Sequence, residues 1–125
     1  MIHKILMADD EPDILSVFAE LLRAHGFEVV EASNSEEFEQ LLTLHNPDLI
    51  ILDICMKGEA GPDLYDRVMQ LKSPKTPVAF VSGLVDSRSE SPLVKGRQVA
   101  MYAKPLNIEK LVQHIRAAFS DSIAA

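Results

Sequence analysis

The chain has 125 residues, 47% of them hydrophobic and 25% charged, with a formal charge of −7 at pH 7. That is the size and balance of one globular domain, and the acidic excess argues against a nucleic-acid binder, which needs a basic footprint. The single cysteine excludes an internal disulfide, and no apolar stretch approaches the ~20 residues that span a bilayer.

Lys4-Ile5-Leu6-Met7-Ala8 reads as a buried strand. Its apolar run stops at Asp9 with no small-residue cleavage site after it, so it is not a signal peptide. Ile14, Phe18, Leu21 and Leu22 mark one face of a first helix. Glu28-Val29-Val30-Glu31-Ala32 alternates polar and apolar residues and reads as an edge strand. Phe38, Leu41 and Leu42 mark a second helix, with Asn34 or Ser33 as its N-cap. Leu49-Ile50-Ile51-Leu52 is a second buried strand. Pro62 can open a third helix, carried by Leu64, Val68 and Leu71. Val78-Ala79-Phe80-Val81 is again a strand. The segment from Asp86 to Gly96 is expected to hold a fourth helix, although Ser and Arg dominate it, Pro92 interrupts it, and only Leu93 and Val94 are strongly apolar. Val99-Ala100-Met101-Tyr102-Ala103 is the last strand. Leu111, Ile115, Ala118 and Phe119 mark the last helix, with Asn107 as its cap.

Near-continuous apolar strands suit a parallel sheet covered on both faces. Strands that alternate with helices, joined by right-handed crossovers, place helices on both sides of that sheet. In such a sheet the site lies beyond the carboxyl ends of the strands. Asp9, Asp10 and Glu11 follow the first strand, Asp53 follows the third, Ser82-Gly83 ends the fourth, and Lys104-Pro105 ends the fifth. Three carboxylates in one crevice repel one another unless a proton or a cation relieves them. Hard carboxylate oxygens suit Mg²⁺. A lysine and a hydroxyl beside such an ion could pair with the oxygens of a phosphoryl group, and a carboxylate such as Asp53 is a known type of nucleophile.

Leu6-Met7-Ala8-Asp9-Asp10-Glu11-Pro12, the Asp53 that ends Asp48-Leu49-Ile50-Ile51-Leu52-Asp53, Met56, Gly61, Ser82-Gly83 and Lys104-Pro105 stand in that order at successive strand ends. On these residues the chain resembles the receiver domain of two-component response regulators, over essentially its whole length. The resemblance implies a flavodoxin-like α/β fold with a five-stranded parallel sheet in the order 2-1-3-4-5. It implies a receiver domain over 1–119, with 120–125 a frayed tail or the start of a linker. It implies that Asp53 accepts a phosphoryl group from a histidine kinase or a histidine phosphotransfer protein. Asp10 would ligate Mg²⁺ directly, Asp9 mostly through water, Asp53 itself, and Cys55 through its backbone carbonyl. Ser82 and Lys104 would each take a phosphoryl oxygen, and the Lys104–Pro105 bond is expected to be cis. The output would be a change in the face made by the fourth helix, the fifth strand and the fifth helix, where an effector or a second copy would bind. Only slow self-catalysed phosphoryl transfer and hydrolysis is implied, so the chain reads as a switch more than an enzyme. It is expected to be cytoplasmic, with neither direct nucleic-acid nor membrane binding. The alternative is a degenerate receiver that serves only as a binding module.

Three features depart from the family pattern. Lys57 stands where a proline is usual, four residues after the phosphoacceptor, and reads as a solvated loop charge. Met101 occupies the usual aromatic position three residues before the lysine, and Tyr102 lies one step on. One step along a strand faces the opposite side, so either a bulge restores Tyr102, or Met101 substitutes, or the relay differs. The fourth helix is the third departure. His3, His25, His45 and His114 are scattered without ligand spacing and read as surface or boundary residues.

Overall fold

A computed structural model describes residues 4–56, 59–60, 66 and 76–119. The expected third helix with Pro62, Leu64, Val68 and Leu71, the Gly61 that matches the family pattern and the departure at Lys57 lie outside the described residues.

The strands β1 (Lys4–Ala8), β2 (Glu28–Ala32), β3 (Leu49–Asp53), β4 (Val78–Ser82) and β5 (Val99–Ala103) form one sheet in the order β2-β1-β3-β4-β5. Every pairing in it is parallel. The helices α1 (Pro12–Ala24), α2 (Ser35–His45) and α3 (Ile108–Ala118) return the chain across its two faces. Cys55–Met56 and Glu59–Ala60 add a small antiparallel ribbon just beyond β3.

The period of two along a strand sorts the core into two halves. Ile5, Met7, Leu49, Ile51, Val81, Ala100 and Tyr102 pack on the side of α1 and α3. Leu6, Ala8, Ile50, Leu52, Val78 and Phe80 pack against Phe38 and Leu42 of α2, with Met101 beside them. That parity excludes one of the three options at the fifth strand, the bulge. Tyr102 and Met101 face opposite ways, Tyr102 is buried, and no bulge interrupts the register of Val81 with Tyr102 and Phe80 with Met101.

The helix starts obey local chemistry. Pro12 opens α1, where its missing N–H costs nothing. Asn34 caps α2 by accepting the Glu37 N–H at 2.8 Å, while the Glu37 carboxylate accepts the Ser33 N–H at 2.7 Å. This reciprocal arrangement satisfies two otherwise orphaned donors. Asn107 caps α3 through the Lys110 N–H at 3.0 Å, as expected.

Two expectations fail. The face of α1 that packs on the sheet is Leu15, Ala19 and Leu22, with Phe18 half-buried, whereas Ile14 and Leu21 are 39% and 44% exposed. The segment between β4 and β5 forms no α-helix. It has a short 3₁₀ turn at Ser87–Ser89, capped by the Asp86 carboxylate, and then runs extended. There Ser91 makes an antiparallel bridge to Met101, and Leu93 turns inward while Val94 stays exposed. Pro92 cannot donate a helical hydrogen bond, and the free edge of β5 offers the backbone another partner.

Candidate phosphoryl-acceptor site

Asp9, just past β1, and Asp53, the last residue of β3, continue the odd-numbered series of those strands, so both carboxylates emerge on the α1 side. Lys104 continues the series of Ala100 and Tyr102 and arrives from β5 on the same side. Its Nζ lies 3.1 Å from Asp53 Oδ2 and 3.6 Å from Asp9 Oδ2. Asp9 and Asp53 are almost fully buried and Asp10 half-buried, and the three present carboxylate oxygens within 4.8 Å of one another. Asp9 is anchored at both ends. Its N–H donates to Ala32 O at 3.1 Å, and its Oδ1 accepts the Glu11 N–H at 3.0 Å. Ser82 ends β4, almost fully buried, and its Oγ accepts the Leu84 N–H at 3.0 Å. The Lys104 N–H donates to Ser82 O at 2.9 Å, which ties the ends of β4 and β5 together. The Lys104–Pro105 bond is cis, as expected. Cys55 lies two residues past Asp53 in the ribbon paired with Ala60.

The electrostatics follow from this crowding. Burial pushes the Asp9 carboxyl above its ordinary value. The Glu11 N–H and the Lys104 ammonium oppose the rise, and the charges of Asp53 and Asp10 add to it. Burial alone would lower the Lys104 ammonium, but the hydrogen bond to Asp53 and the charges of Asp9 and Asp53 outweigh it, so the net displacement is upward. A second cation has an obvious place here. The donors are hard oxygens, close together and, among the described residues, only partly neutralised by Lys104, which is the chemistry that Mg²⁺ fits. A cavity of about 70 Å³ opens at this point, with Asp9, Asp53 and Lys104 on its polar wall and Ile14, Phe18 and Leu106 on its apolar one. Apolar walls thin the water around the charges and strengthen their interactions.

The sequence matches the family model of the response regulator receiver domain over residues 5–116. The chain belongs to that family. Two regulatory proteins are among those it is similar to. Nitrogen assimilation regulatory protein NtrX of Azorhizobium caulinodans is 31% identical over 114 residues, which are 90% of this chain and 25% of that one. Transcriptional regulatory protein PdtaR of Mycobacterium tuberculosis is 31% identical over 123 residues, 94% of this chain and 57% of that one. The chain thus spans between a quarter and little more than half of these relatives. The crystal structure of the receiver domain from hybrid histidine kinase CckA superposes with a TM-score of 0.73 at 32% identity, covering 90% of this chain and 95% of that one. No helix among the described residues of this receiver is long and apolar enough to cross a membrane.

Around the receiver's site, the sequence did not point to Glu90, which reaches the end of β5 from a segment expected to be helical. Its Oε2 accepts the Ala103 N–H at 2.9 Å, and its Oε1 pairs with the Lys110 ammonium. Nor did it point to His114, whose Nδ1 lies 2.7 Å from the Tyr102 hydroxyl. Both contacts join residues far apart in sequence and carry no local pattern.

Proposed function

We propose that this receiver takes a phosphoryl group onto Asp53 and uses it as a conformational switch. The observation that carries the reading is the Lys104 ammonium held between Asp53 and Asp9, 3.1 and 3.6 Å away, beside a third carboxylate. An Asp53 carboxylate oxygen would attack phosphorus in line with the leaving group. A P–O bond to Asp53 forms while the bond to the donor, an imidazole nitrogen or the acyl oxygen of a small phosphodonor, breaks. Lys104 and the Ser82 hydroxyl would each take one of the equatorial oxygens, where charge accumulates in transfer. Asp10, Asp9, Asp53 and the Cys55 carbonyl would hold Mg²⁺, which supplies positive charge to a third oxygen when bound. Water attack on the acyl phosphate would reverse the modification slowly, so turnover chemistry is not its role.

The donor is proposed to be a histidine kinase or a histidine phosphotransfer protein, and the location cytoplasmic. The receiver is proposed to occupy 1–119, with 120–125 as tail or linker start. An effector or a second copy would read the face of β5 and α3, with the largely non-helical segment at 86–98, its 3₁₀ turn included, in place of the fourth helix. Incubation with Mg²⁺ and acetyl phosphate, followed by intact mass, tests the chemistry. The expected result is one added phosphoryl group that Asp53→Asn abolishes. A gain that survives the substitution sinks the assignment of Asp53. No gain at all, with partner binding intact, favours a degenerate receiver that acts only as a binding module.

A further inference from the structure

The strand β5 lies at the sheet edge, so alternate N–H groups of its backbone have no sheet neighbour. The Lys104 N–H points inward to Ser82 O, whereas the N–H groups of Met101 and Ala103 point outward. Ser91 serves the first: Met101 N–H donates to Ser91 O at 2.8 Å and Ser91 N–H donates to Met101 O at 2.9 Å. One step on, an added strand would present a carbonyl to Ala103. This chain presents a carboxylate, with Glu90 Oε2 2.9 Å from the Ala103 nitrogen. The other oxygen of Glu90 pairs with Lys110 in the first turn of α3, and the Glu90 side chain is only 10% exposed. Burial on its own would disfavour that charge, but the Lys110 ammonium and the Ala103 N–H outweigh it and hold the carboxyl below its usual range.

We propose that Glu90 is a positioning residue for Lys104. The inference rests on the phosphoryl-acceptor reading above. Glu90 joins the extended segment, the last residue of β5 and the first turn of α3 at one point. The next residue after Ala103 is Lys104. Its backbone is therefore fixed from the sheet side by Ser82 O and from the edge side, one residue away, by Glu90. Lysine is a point charge on a flexible four-carbon stem. Where its ammonium sits depends on how firmly the base of that stem is held. Glu90 touches neither the phosphoryl group nor the metal site, so it acts only through Lys104.

The test uses the whole chain and the variants Glu90→Ala, Glu90→Gln and Glu90→Gln/Lys110→Met. The double variant keeps a neutral acceptor for Ala103 and removes the ammonium that would repel the new amide. Amide exchange, the relaxation of the Lys104 Cε methylene, Mg²⁺ affinity by NMR titration, and the rate of phosphoryl uptake from acetyl phosphate are read on each. In Glu90→Ala the Ala103 amide is expected to exchange at least about tenfold faster, the Lys104 Cε to become more mobile, and uptake to fall on the order of tenfold, as small misplacements of a charge-stabilising group do. Mg²⁺ affinity should stay within about twofold, because no proposed ligand is touched. The double variant should recover Ala103 protection and most of the rate. Unchanged uptake in Glu90→Ala, a loss of Mg²⁺ affinity in step with uptake, or no recovery in the double variant would overturn the proposal. If Glu90→Ala does not fold, Glu90→Gln against the double variant carries the same comparison. A parent protein that takes up no phosphoryl group refutes the functional reading instead, and the Cε relaxation then still decides whether Glu90 positions Lys104.

Discussion

Replacing Tyr102 with Phe removes one oxygen and leaves the ring. The hydroxyl accepts the buried Leu93 N–H at 2.9 Å and shares a hydrogen bond of 2.7 Å with His114 Nδ1. It thereby links the extended segment after β4 to α3 through the core. Without it the Leu93 N–H is buried with no acceptor, a loss of about 1–3 kcal/mol. The half-buried His114 nitrogen can recover water, so it adds less, under about 1 kcal/mol. The ring fills nearly the same volume, so packing offsets little of this. The expected cost is about 2–3 kcal/mol, or a Tm lower by about 8–12 °C at roughly 4 °C per kcal/mol for a chain of this size. Urea unfolding followed by far-UV circular dichroism measures it. A double-mutant cycle with His114→Ala should show coupling of about 1 kcal/mol. A loss under about 0.5 kcal/mol, or strict additivity with His114→Ala, would refute this account of the hydroxyl.

Asn34→Ala should cost about 1 kcal/mol by removing the cap of α2, read as a shift in urea midpoint at constant slope. Glu90 is held below the ordinary value of 4.5, so its stability contribution is complete above that pH and is lost as pH falls through its folded value. The stability gap between the parent and Glu90→Gln should therefore close on acidification, and a gap that widens would contradict the sign. Mg²⁺ at a hundredfold its dissociation constant should stabilise the parent by about 2.7 kcal/mol. Asp10→Asn should lose that response while becoming more stable without metal, since it removes one of the carboxylates that raise Asp9; thermal melts with and without Mg²⁺ check both. Lys104→Met should slow phosphoryl uptake by about 10²–10³-fold, measured by intact mass over time.

The five strands and the residues at their ends were legible because a buried parallel strand has no choice but a run of apolar residues, and because each site residue comes directly after such a run. The faces of the helices were less so. In α1 the larger side chains Ile14 and Leu21 suggested the buried stripe, yet the sheet is approached through Ala19, whose small side chain admits the close contact. Volume misled where spacing alone allowed two overlapping faces. At 86–96 the local signals, Pro92 and a polar composition, already opposed a helix. The expectation of one came from the alternation of strands and helices, and the unpaired edge of β5 decided otherwise. Glu90 and His114 act across long sequence separations, and nothing local marks them.

A strand at the margin of a sheet is an invitation to any other extended chain, because its outward amides and carbonyls are a ready template. At the β2 margin the Arg23 guanidinium donates to Val29 O at 2.8 Å and to Glu31 at 2.9 Å, a bulky charge where a neighbouring strand would have to lie. At the β5 margin the protection is the chain's own residues 90 and 91, held there by two backbone bonds and one carboxylate. The same short stretch that stands in for a helix is thus a guard against edge-to-edge pairing of strands. Lifting it would bare Met101 and Ala103 together, and variants that loosen it are expected to be the first of this protein to form fibrous aggregates on storage.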